Sequence, residues 1–227
     1  MAIIVIEGTD GCGKETQTKL LVEELNKKGI KAYRQSFPNY GSAGAKPVEA
    51  LLSGELGSDV NSVDAYQSST FFAVDRLFTY KSDMSMHLKN GENLILDRYV
   101  ESNLLYQATK IEDEKESEKF ISWLLDFEYN ILKLPRPDKI IYLNVPPKIS
   151  MNLVKHREKK NNLSDDIYEN NEKYMYTVYN KGLNIAKMQN FDIINCVDDG
   201  GNMRSIEEIH KEILSKVNVV LTKSLEK

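Results

Sequence analysis

Short apolar segments without polar alternation recur along the chain and mark its predicted strands. They lie at residues 2–6, 93–97 and 139–145, residues 30–37 are predicted as a further strand that ends before Pro38, and residues 192–197 are a weaker fifth case. A strand that is continuously apolar is typical of a parallel sheet covered by helices on both faces. The pattern therefore predicts five strands in a mainly parallel sheet.

Helical patterns separate these strands. Leu21 and Leu25 follow the first strand one turn apart, which places both side chains on one face of a helix. Further helices are predicted at residues 43–53, 63–89, 117–132, 148–158 and 166–188. A last helix begins at Ser205, which forms a capping-box pattern with Glu208. Strands that alternate with helices predict an α/β fold with helices flanking a five-stranded sheet.

A polar segment at residues 158–166 interrupts two predicted helices. A solvated surface turn explains the segment by itself, and a flap that closes over a site is the alternative. We find no repeat, low-complexity tract or linker that divides the sequence. We therefore expect a single domain over residues 1–227.

Charge and composition narrow the class of protein. The chain has 30 Lys and Arg against 34 Asp and Glu, a formal net charge of −4, which argues against a strongly basic nucleic-acid-binding protein. No apolar segment approaches the roughly 20 residues that span a bilayer, and no basic leader precedes the first one. Its two cysteines, Cys12 and Cys196, are far apart, which fits a reducing compartment. We expect a cytoplasmic protein without nucleic-acid or membrane partners.

The segment GTDGCGK at residues 8–14 fits the phosphate-loop pattern GxxxxGK between a predicted strand and a predicted helix. Its glycines let backbone amides surround a phosphate, while the helix N-terminus and Lys14 add positive charge. A tight turn without a ligand is the alternative, and the lysine and the context argue against it. The residues expected to hold a nucleoside triphosphate are Gly8, Thr9, Asp10, Gly11, Cys12, Gly13, Lys14, Glu15 and Thr16.

The position after the lysine departs from this pattern. Phosphate loops usually place Ser or Thr there to ligate Mg²⁺, whereas this chain has Glu15 followed by Thr16. One helical step turns a side chain by about 100°, so Thr16 does not simply replace the missing hydroxyl. Phosphates, waters and a carboxylate elsewhere can hold Mg²⁺ instead. We expect Glu15 to face solvent.

Phosphate loops serve kinases, GTPases and motor ATPases. The tetrapeptide NKxD, which guanine-specific GTPases use, does not occur in the sequence. Motor ATPases usually need a longer chain and an oligomerising partner domain. The size of this chain fits a small-molecule kinase best.

Further motifs follow the phosphate loop in order. They are EGTDGCGKETQ at 7–17, FPNY at 37–40, FAVDR at 72–76, DRYVESN at 97–103 with Tyr106, and DIYE at 166–169. Their joint order and spacing resemble the thymidylate kinase family over nearly the whole chain. The resemblance implies the P-loop nucleoside monophosphate kinase fold with a short lid at about residues 157–168. It also implies phosphoryl transfer from ATP to dTMP with Mg²⁺, and a homodimer.

The resemblance also implies a binding site for dTMP. Phe72 would stack on thymine, although a phenylalanine on a long helix is more often a core residue. Arg76 would contact the base and Arg98 the monophosphate, with surface ion pairs as the alternative. Tyr40 would bond the phosphate, whereas Asn39 stands where many members carry arginine, so we expect a weaker grip there. The residues implied for dTMP are Asp10, Phe37, Tyr40, Phe72, Arg76, Arg98, Asn103 and Tyr106.

Two highly negative groups must approach each other in this transfer, so charge neutralisation is the catalytic role expected of Lys14, Arg98 and, on the closing flap, Arg157. Asp97 ends a buried strand, where a carboxylate is costly unless it is paired or linked to a metal. Asp97 therefore suits the role of an acidic residue near Mg²⁺ or of one that orients Lys14 or Arg98, and a structural ion pair is the alternative. Family likeness implies that Glu169 reaches the metal or the acceptor.

Two rival functions stay open at this point. A deoxynucleoside kinase would need a carboxylate base, which in that family follows the second strand. Here residues 36–39 read SFPN, without an acid, and Asp97 is the substitute. A non-catalytic nucleotide-binding regulator is the second rival, because Glu15 and Asn39 depart from the kinase pattern.

Overall fold

The computed structural model describes residues 1–161, 168 and 171–225. Its strands form one sheet in the order β2-β3-β1-β4-β5, and every pair in this sheet is parallel. The strands are β1 (Ile3–Glu7), β2 (Ala32–Ser36), β3 (Asn93–Asp97), β4 (Lys139–Asn144) and β5 (Asp192–Asn195). The predicted five-stranded α/β fold is confirmed.

Helices connect the strands and cover both faces of the sheet. They are α1 (Lys14–Lys27), α2 (Lys46–Leu52), α3 (Ala65–Thr79), α4 (Ser85–Lys89), α5 (Glu101–Tyr106), α6 (Glu114–Leu125), α7 (Pro147–Asn161), α8 (Glu172–Met188) and α9 (Ile206–Leu225). A π-helical turn, Tyr80–Met84, joins α3 to α4 and explains why one long helix was predicted here. Another, Asp126–Ile131, follows α6. Within the described parts of the chain, no helix is long and apolar enough to cross a membrane.

Helix starts follow from local hydrogen bonds. The predicted capping box before α9 is present, because Ser205 Oγ accepts from Glu208 N at 3.2 Å and Glu208 Oε2 accepts from Ser205 N at 2.9 Å. An unpredicted capping box joins Asp64 and Gln67 at the start of α3. Capping therefore sets both starts by satisfying amides that the helix leaves unpaired.

The predicted turn at residues 158–166 begins too early. Helix α7 continues through Asn161, and residues 162–167 lie outside the described residues. Helix α8 starts at Glu172 rather than at residue 166, because the Asn171 side chain caps it by accepting from Tyr174 N at 2.9 Å.

The sheet is buried on both faces, as β1 illustrates. Ile4 and Ile6 pack in one apolar cluster with α1 and α9, whereas Ile3 and Val5 pack in another with Tyr99. Alternate residues of a strand point to opposite faces, so a continuously apolar strand fills two cores at once.

The carboxyl edge of the sheet brings the candidate chemistry together. Ile6 of β1 pairs with Asp97 of β3, and Arg98 N donates to Ile6 O at 3.1 Å. The residues after both strands are therefore neighbours, and ligands of open parallel sheets bind at this edge.

Candidate active site

The loop at residues 8–14 joins β1 to α1 through backbone conformations that favour glycine. Gly8 and Gly11 have φ angles of 146° and 77°. A Cβ atom at Gly8 would lie 2.6 Å from Cys12 Sγ, and one at Gly11 would lie 2.2 Å from Ser150 O. Both glycines are required, because a side chain would be strained and would collide with its neighbours.

Lys14 is held inside this loop. Its ammonium group donates to Gly8 O at 3.1 Å and to Thr9 O at 2.8 Å, and the side chain is buried. Both acceptors are neutral carbonyls, so neither of these hydrogen bonds pairs the ammonium group with a carboxylate, and it lies beside the N-terminus of α1. This arrangement supplies the positive field that a phosphate group needs.

The two residues after Lys14 are exposed. Glu15 and Thr16 lie on the first turn of α1, and Glu15 Oε1 pairs with Lys19 Nζ at 2.7 Å. The expectation that Glu15 faces solvent is confirmed. A carboxylate there also suits the positive end of the helix dipole.

Arg98 stands at the junction between the loop and the neighbouring cavity. Its guanidinium pairs with Asp10 and lies over the Tyr106 ring, 5.2 Å from the centroid. Tyr106 in turn donates to Asp10 Oδ2 at 2.7 Å. Burial opposes the charge of Arg98, but Asp10 together with Tyr106, Glu7 and Asp97 outweighs it and holds the pKa of Arg98 well above its usual value. Arg98 is therefore a fixed cation.

The backbone of Arg98 is itself unusual. Its φ angle is 68°, a left-handed conformation that is uncommon for a residue with a side chain. This turn directs the chain from β3 towards α5 and lets the guanidinium reach Asp10.

A cavity that is partly open to solvent adjoins Arg98 and has about 480 Å³ of empty space, including its open mouth; we call it the Phe72 cavity. Its lining residues are Asp10, Pro38, Tyr40, Leu52, Phe72, Arg98, Ser102, Asn103, Tyr106, Gln107 and Tyr168. Six of the eight residues expected to hold dTMP are among them. The mixture of aromatic rings, amides and a cation suits a nucleotide with a flat base and an anionic end.

Arg76 and Phe37 do not line the Phe72 cavity. Arg76 is 1% exposed, and its Nε and Nη2 each donate to a Glu128 carboxylate oxygen at 2.6 Å. Its Nη1 donates to Tyr99 O at 3.2 Å. Phe37 is buried in the core against Tyr99, with 5.9 Å between the ring centroids. The structure does not bring either side chain to the cavity surface, and their contacts with dTMP stay predictions.

The buried pair of Arg76 and Glu128 nevertheless reaches the cavity indirectly. Asn103, which lines the cavity, donates from Nδ2 to Glu128 Oε1 at 3.4 Å and to Ser69 O at 3.4 Å. The pair therefore helps to fix the amide of Asn103 through a hydrogen bond from Asn103 to Glu128.

Asp97 forms a structural ion pair, which is the alternative to a role as a metal ligand. Its Oδ2 accepts from Arg34 Nη2 at 2.7 Å, and Arg34 Nε donates to Thr18 Oγ1 at 2.7 Å. Among the described residues, no hydrogen bond reaches the other oxygen of Asp97, and no cluster of three or more His, Cys, Asp or Glu is arranged to hold a metal.

Glu7 is a buried site residue that sequence reasoning missed. It accepts from Tyr99 N at 2.9 Å and from Ser102 Oγ at 2.9 Å. Burial raises the pKa of Glu7, while the nearby Arg98 and Lys14 oppose that shift. A charged residue at the end of an apolar strand, just before a glycine loop, was the available signal.

Asp75 holds the segment that carries Tyr40. Its carboxylate accepts from Asn39 N at 2.9 Å, and Asn39 Nδ2 donates to Thr79 Oγ1 at 3.1 Å. Asn39 thus ties this segment to α3, which leaves Tyr40 exposed at the cavity mouth. The remaining predicted site groups, the side chain of Arg157 and the whole of Glu169, lie outside the described residues.

A parallel sheet with a phosphate loop after β1, and with a cavity lined by aromatic rings, amides and a cation at its carboxyl edge, defines the class of P-loop nucleotide kinases. The family model described as thymidylate kinase matches residues 6–213. The chain belongs to the thymidylate kinase family, which is a family of nucleoside monophosphate kinases.

Relatives of similar length agree with this assignment. The thymidylate kinase of Fervidobacterium nodosum is 32% identical over 220 residues, covering 96% of this chain and 99% of the relative. The probable thymidylate kinase of Thermococcus kodakarensis is 30% identical over 96% of this chain and 98% of its own. The Mycobacterium tuberculosis thymidylate kinase is 34% identical over 149 residues, 65% of this chain and 68% of its own.

Proposed function

We propose that the protein phosphorylates dTMP with ATP to give dTDP and ADP. One observation carries the proposal: the phosphate loop and the Phe72 cavity meet at Arg98, so one cation touches both. Arg98 Nη1 lies 3.4 Å from Gly8 O in the loop, while its side chain lines the cavity. Two nucleotides held in these places would meet end to end at this guanidinium.

ATP would bind through the phosphate loop. The amides of residues 8–14 and the first turn of α1 would hold its phosphates, and Lys14 would exchange its carbonyl partners for phosphate oxygens. Of the residues expected to contact ATP, Glu15 and Thr16 are exposed and would lie at the edge of the site.

dTMP would occupy the Phe72 cavity. Thymine would stack on Phe72 and contact Asn103, while Arg98 and Tyr40 would bind the phosphate. Tyr106 would lie against the sugar, where its ring excludes a 2′-hydroxyl, and Asp10 would accept from the 3′-hydroxyl. We propose Arg76 and Phe37 as supports of this pocket, and Arg157 as a further cation at the transferred group.

Mg²⁺ fits the residues at this edge of the sheet. Asp97 ends β3 beside the phosphate loop and offers one carboxylate oxygen, which is the ligand type that Mg²⁺ prefers together with phosphates and waters. We propose Asp97 as its protein ligand, with Glu169 as a second. The bound ion would supply positive charge to the phosphate oxygens of ATP.

The chemistry requires no general base. The acceptor phosphate has a second pKa near ~6 and is largely a dianion at neutral pH. One of its oxygens forms the new bond to the γ-phosphorus, the bond from that phosphorus to the β-phosphate oxygen breaks, and ADP leaves with the electron pair. Lys14 and Arg98 would neutralise the two anions as they approach in line.

The cavity does not favour a deoxynucleoside kinase. Among the described residues that line it, Asp10 is the one carboxylate, and it is bound to Arg98 and Tyr106. A base for a hydroxyl acceptor would have to leave these partners. Asp97, the other candidate, is paired with Arg34.

A homodimer through α3 and a cytoplasmic location complete the proposal. Val74 and Phe78 lie one turn apart on α3 and are 48% and 43% exposed, so they form an apolar face that a second copy could cover. Both cysteines are free and buried, which suits a reducing compartment. Light scattering during size-exclusion chromatography measures the molar mass in solution, which should be twice that of one chain.

The function is tested by steady-state assays of the purified protein with ATP and Mg²⁺ against dTMP, dUMP, UMP and thymidine. We expect dTDP, detected by anion-exchange chromatography, and no product from thymidine. Conversion of thymidine to dTMP would establish the deoxynucleoside kinase instead. ATP binding without turnover of any monophosphate would establish the regulator.

A further inference from the structure

Lys110 is a half-buried cation next to the Phe72 cavity that the proposed reaction does not use. It ends the short 3₁₀ turn Ala108–Lys110 after α5. Its ammonium group donates to Val63 O at 2.9 Å, to Tyr168 Oη at 3.0 Å and to Ser68 Oγ at 3.3 Å. These three acceptors are uncharged. The hydrogen bonds of Lys110 therefore fix the positions of its neighbours and do not neutralise a carboxylate.

Tyr168 is the partner that reaches the cavity. It lines the Phe72 cavity and is 4% exposed, and the Lys110 ammonium also lies over its ring, 5.1 Å from the centroid. A lysine ammonium has donors and no acceptor, so the Tyr168 oxygen must accept from it. The single proton of Tyr168 is then directed at Gln107 Oε1, which lies 3.4 Å away.

Gln107 continues this chain to the cavity wall. It lines the cavity and is 1% exposed, and its Oε1 also lies 2.8 Å from Ser68 Oγ. With its carbonyl end occupied, the side chain has its amide N–H groups left for a ligand. A rotation of Tyr168 would therefore displace its own ring and the amide of Gln107, which both line the cavity.

We propose that Lys110 is a positioning residue of the acceptor site, which fixes the ring of Tyr168 and, through it, the amide of Gln107 on the wall of the Phe72 cavity. The proposal rests on the proposed function, because it takes dTMP as the occupant of this cavity. Lys110 acts through Tyr168, so its loss weakens dTMP binding and leaves ATP binding unchanged.

The charge of Lys110 supports this role and provides a test. Burial lowers the pKa of Lys110 to about 8, although Asp64 and Asp59, which precede α3, favour the charged form. Above that pH, the neutral amine can accept the Tyr168 proton, which turns it away from Gln107 and removes the cation from the ring. The phosphate of dTMP has already titrated at this pH.

The experiment measures the dissociation constant of dTMP by calorimetry, and the KM values for dTMP and ATP by steady-state assay. We expect Lys110→Met to raise the dissociation constant and KM for dTMP about tenfold, as for loss of one charged hydrogen bond, with KM for ATP changed less than about twofold. Lys110→Arg should restore most of the affinity. Lys115→Met, at an exposed lysine nearby, is the matched control and should match the wild type.

A double-mutant cycle separates positioning from general support. Tyr168→Phe removes the hydroxyl that Lys110 binds, so Lys110→Met should weaken dTMP far less in that background. Additive losses, or equal losses for ATP and dTMP, would overturn the proposal.

The pH profile covers the case in which Lys110→Met folds poorly. The wild type should bind dTMP more weakly as pH rises from 7 to 9, whereas Lys110→Arg, which stays charged, should show a flat profile. If dTMP binding by Lys110→Arg weakens with rising pH as much as binding by the wild type, the role of Lys110 is refuted. A wild type that binds dTMP without transferring phosphate would refute the proposed function alone, and one that binds no dTMP would refute both.

Discussion

The phosphate loop and the Phe72 cavity are neighbours built in opposite ways. The loop is seven consecutive residues whose backbone would bind a phosphate, and Gly8 and Gly11 are required by close contacts with Cys12 and Ser150. The cavity is made of side chains from segments as far apart as Asp10 and Tyr168. A backbone site of this kind is defined by local sequence, whereas a side-chain site depends on how the whole chain packs.

The two regions also hold their cations differently. Lys14 rests on neutral carbonyls that a phosphate can replace, while Arg98 is fixed by the Asp10 carboxylate and the Tyr106 ring. The loop is therefore able to adapt to its ligand, and the cavity is formed in advance. The following substitutions test this contrast.

The largest effect is expected at the junction of the two regions. Arg98→Ala should lower kcat about 10³-fold, because a single arginine placed at the transferred phosphoryl group supplies about that factor. The fold should persist, as measured by circular dichroism and thermal unfolding. Arg136→Ala, at an exposed arginine, is the control. Unchanged turnover in Arg98→Ala would remove this residue from the site.

The buried pair of Arg76 and Glu128, which lies behind Asn103, should contribute to the stability of the fold and not to ligand binding alone. Glu128→Ala leaves Arg76 buried without its carboxylate, which should lower the free energy of unfolding by about 3 kcal/mol. Urea unfolding measures the difference. Glu116→Ala breaks the exposed pair with Lys119 and should have an effect close to the experimental error. Equal effects of the two substitutions would contradict a supporting role for the buried pair.

The cavity should distinguish the two nucleotides. Phe72→Ala should raise KM for dTMP about 30-fold, since loss of base stacking costs ~2 kcal/mol, and should change KM for ATP less than about twofold. Steady-state kinetics with each substrate varied in turn measures both constants. Tyr176→Ala, which removes an exposed ring outside the cavity, is the control. Equal losses for both substrates would point to a packing role for Phe72.

The smallest effect concerns a buried acid beneath the cavity. Burial raises the pKa of Glu101 to about 7, although its hydrogen bond from Tyr129 opposes the shift. The folded state then binds more protons than the unfolded state between about pH 4.5 and 7, so the free energy of unfolding falls as pH rises through this range. Relative to Glu101→Gln, the wild type should lose about 2 kcal/mol between pH 5 and pH 8.

Urea unfolding of both proteins at the two pH values tests this expectation. Buried acids that do not interact with Glu101 titrate alike in the two proteins and cancel in the difference, whereas Glu7 and Glu128, whose charges help to raise the pKa of Glu101, belong to the same titration. A difference that does not vary with pH would show that Glu101 is ionised throughout.

Local patterns predicted the parts of the molecule that local interactions determine. Continuously apolar strands, the glycine loop and the capping box at Ser205 all follow from neighbouring residues, and the structure contains them. The end of α7 and the start of α8 were misplaced because residues 158–166 carry polar side chains that suit both a helix surface and a turn. Helix ends are the part of an element that the sequence defines least.

Site residues that belong to sequence motifs were predicted. The contacts and roles that depend on partners distant in the sequence were missed. Asp97 and Arg76 are charged residues in recognisable motifs, yet their partners, Arg34 and Glu128, lie 63 and 52 positions away. Gln107 and Lys110 gave no signal, because their importance depends on contacts with Tyr168 across the fold. Spacing along the chain carries no information about such pairings.

The left-handed backbone at Arg98 has a consequence for evolution in the laboratory. A side chain in that conformation costs of order 1–3 kcal/mol, which glycine would recover. Glycine would also leave the Asp10 carboxylate without the Arg98 cation, and this loss offsets the relief of strain. A library varied at this position should therefore gain no heat resistance from glycine, while selection for growth on the product would remove it. A heat screen that nevertheless enriches glycine would show that the backbone strain outweighs the ion pair.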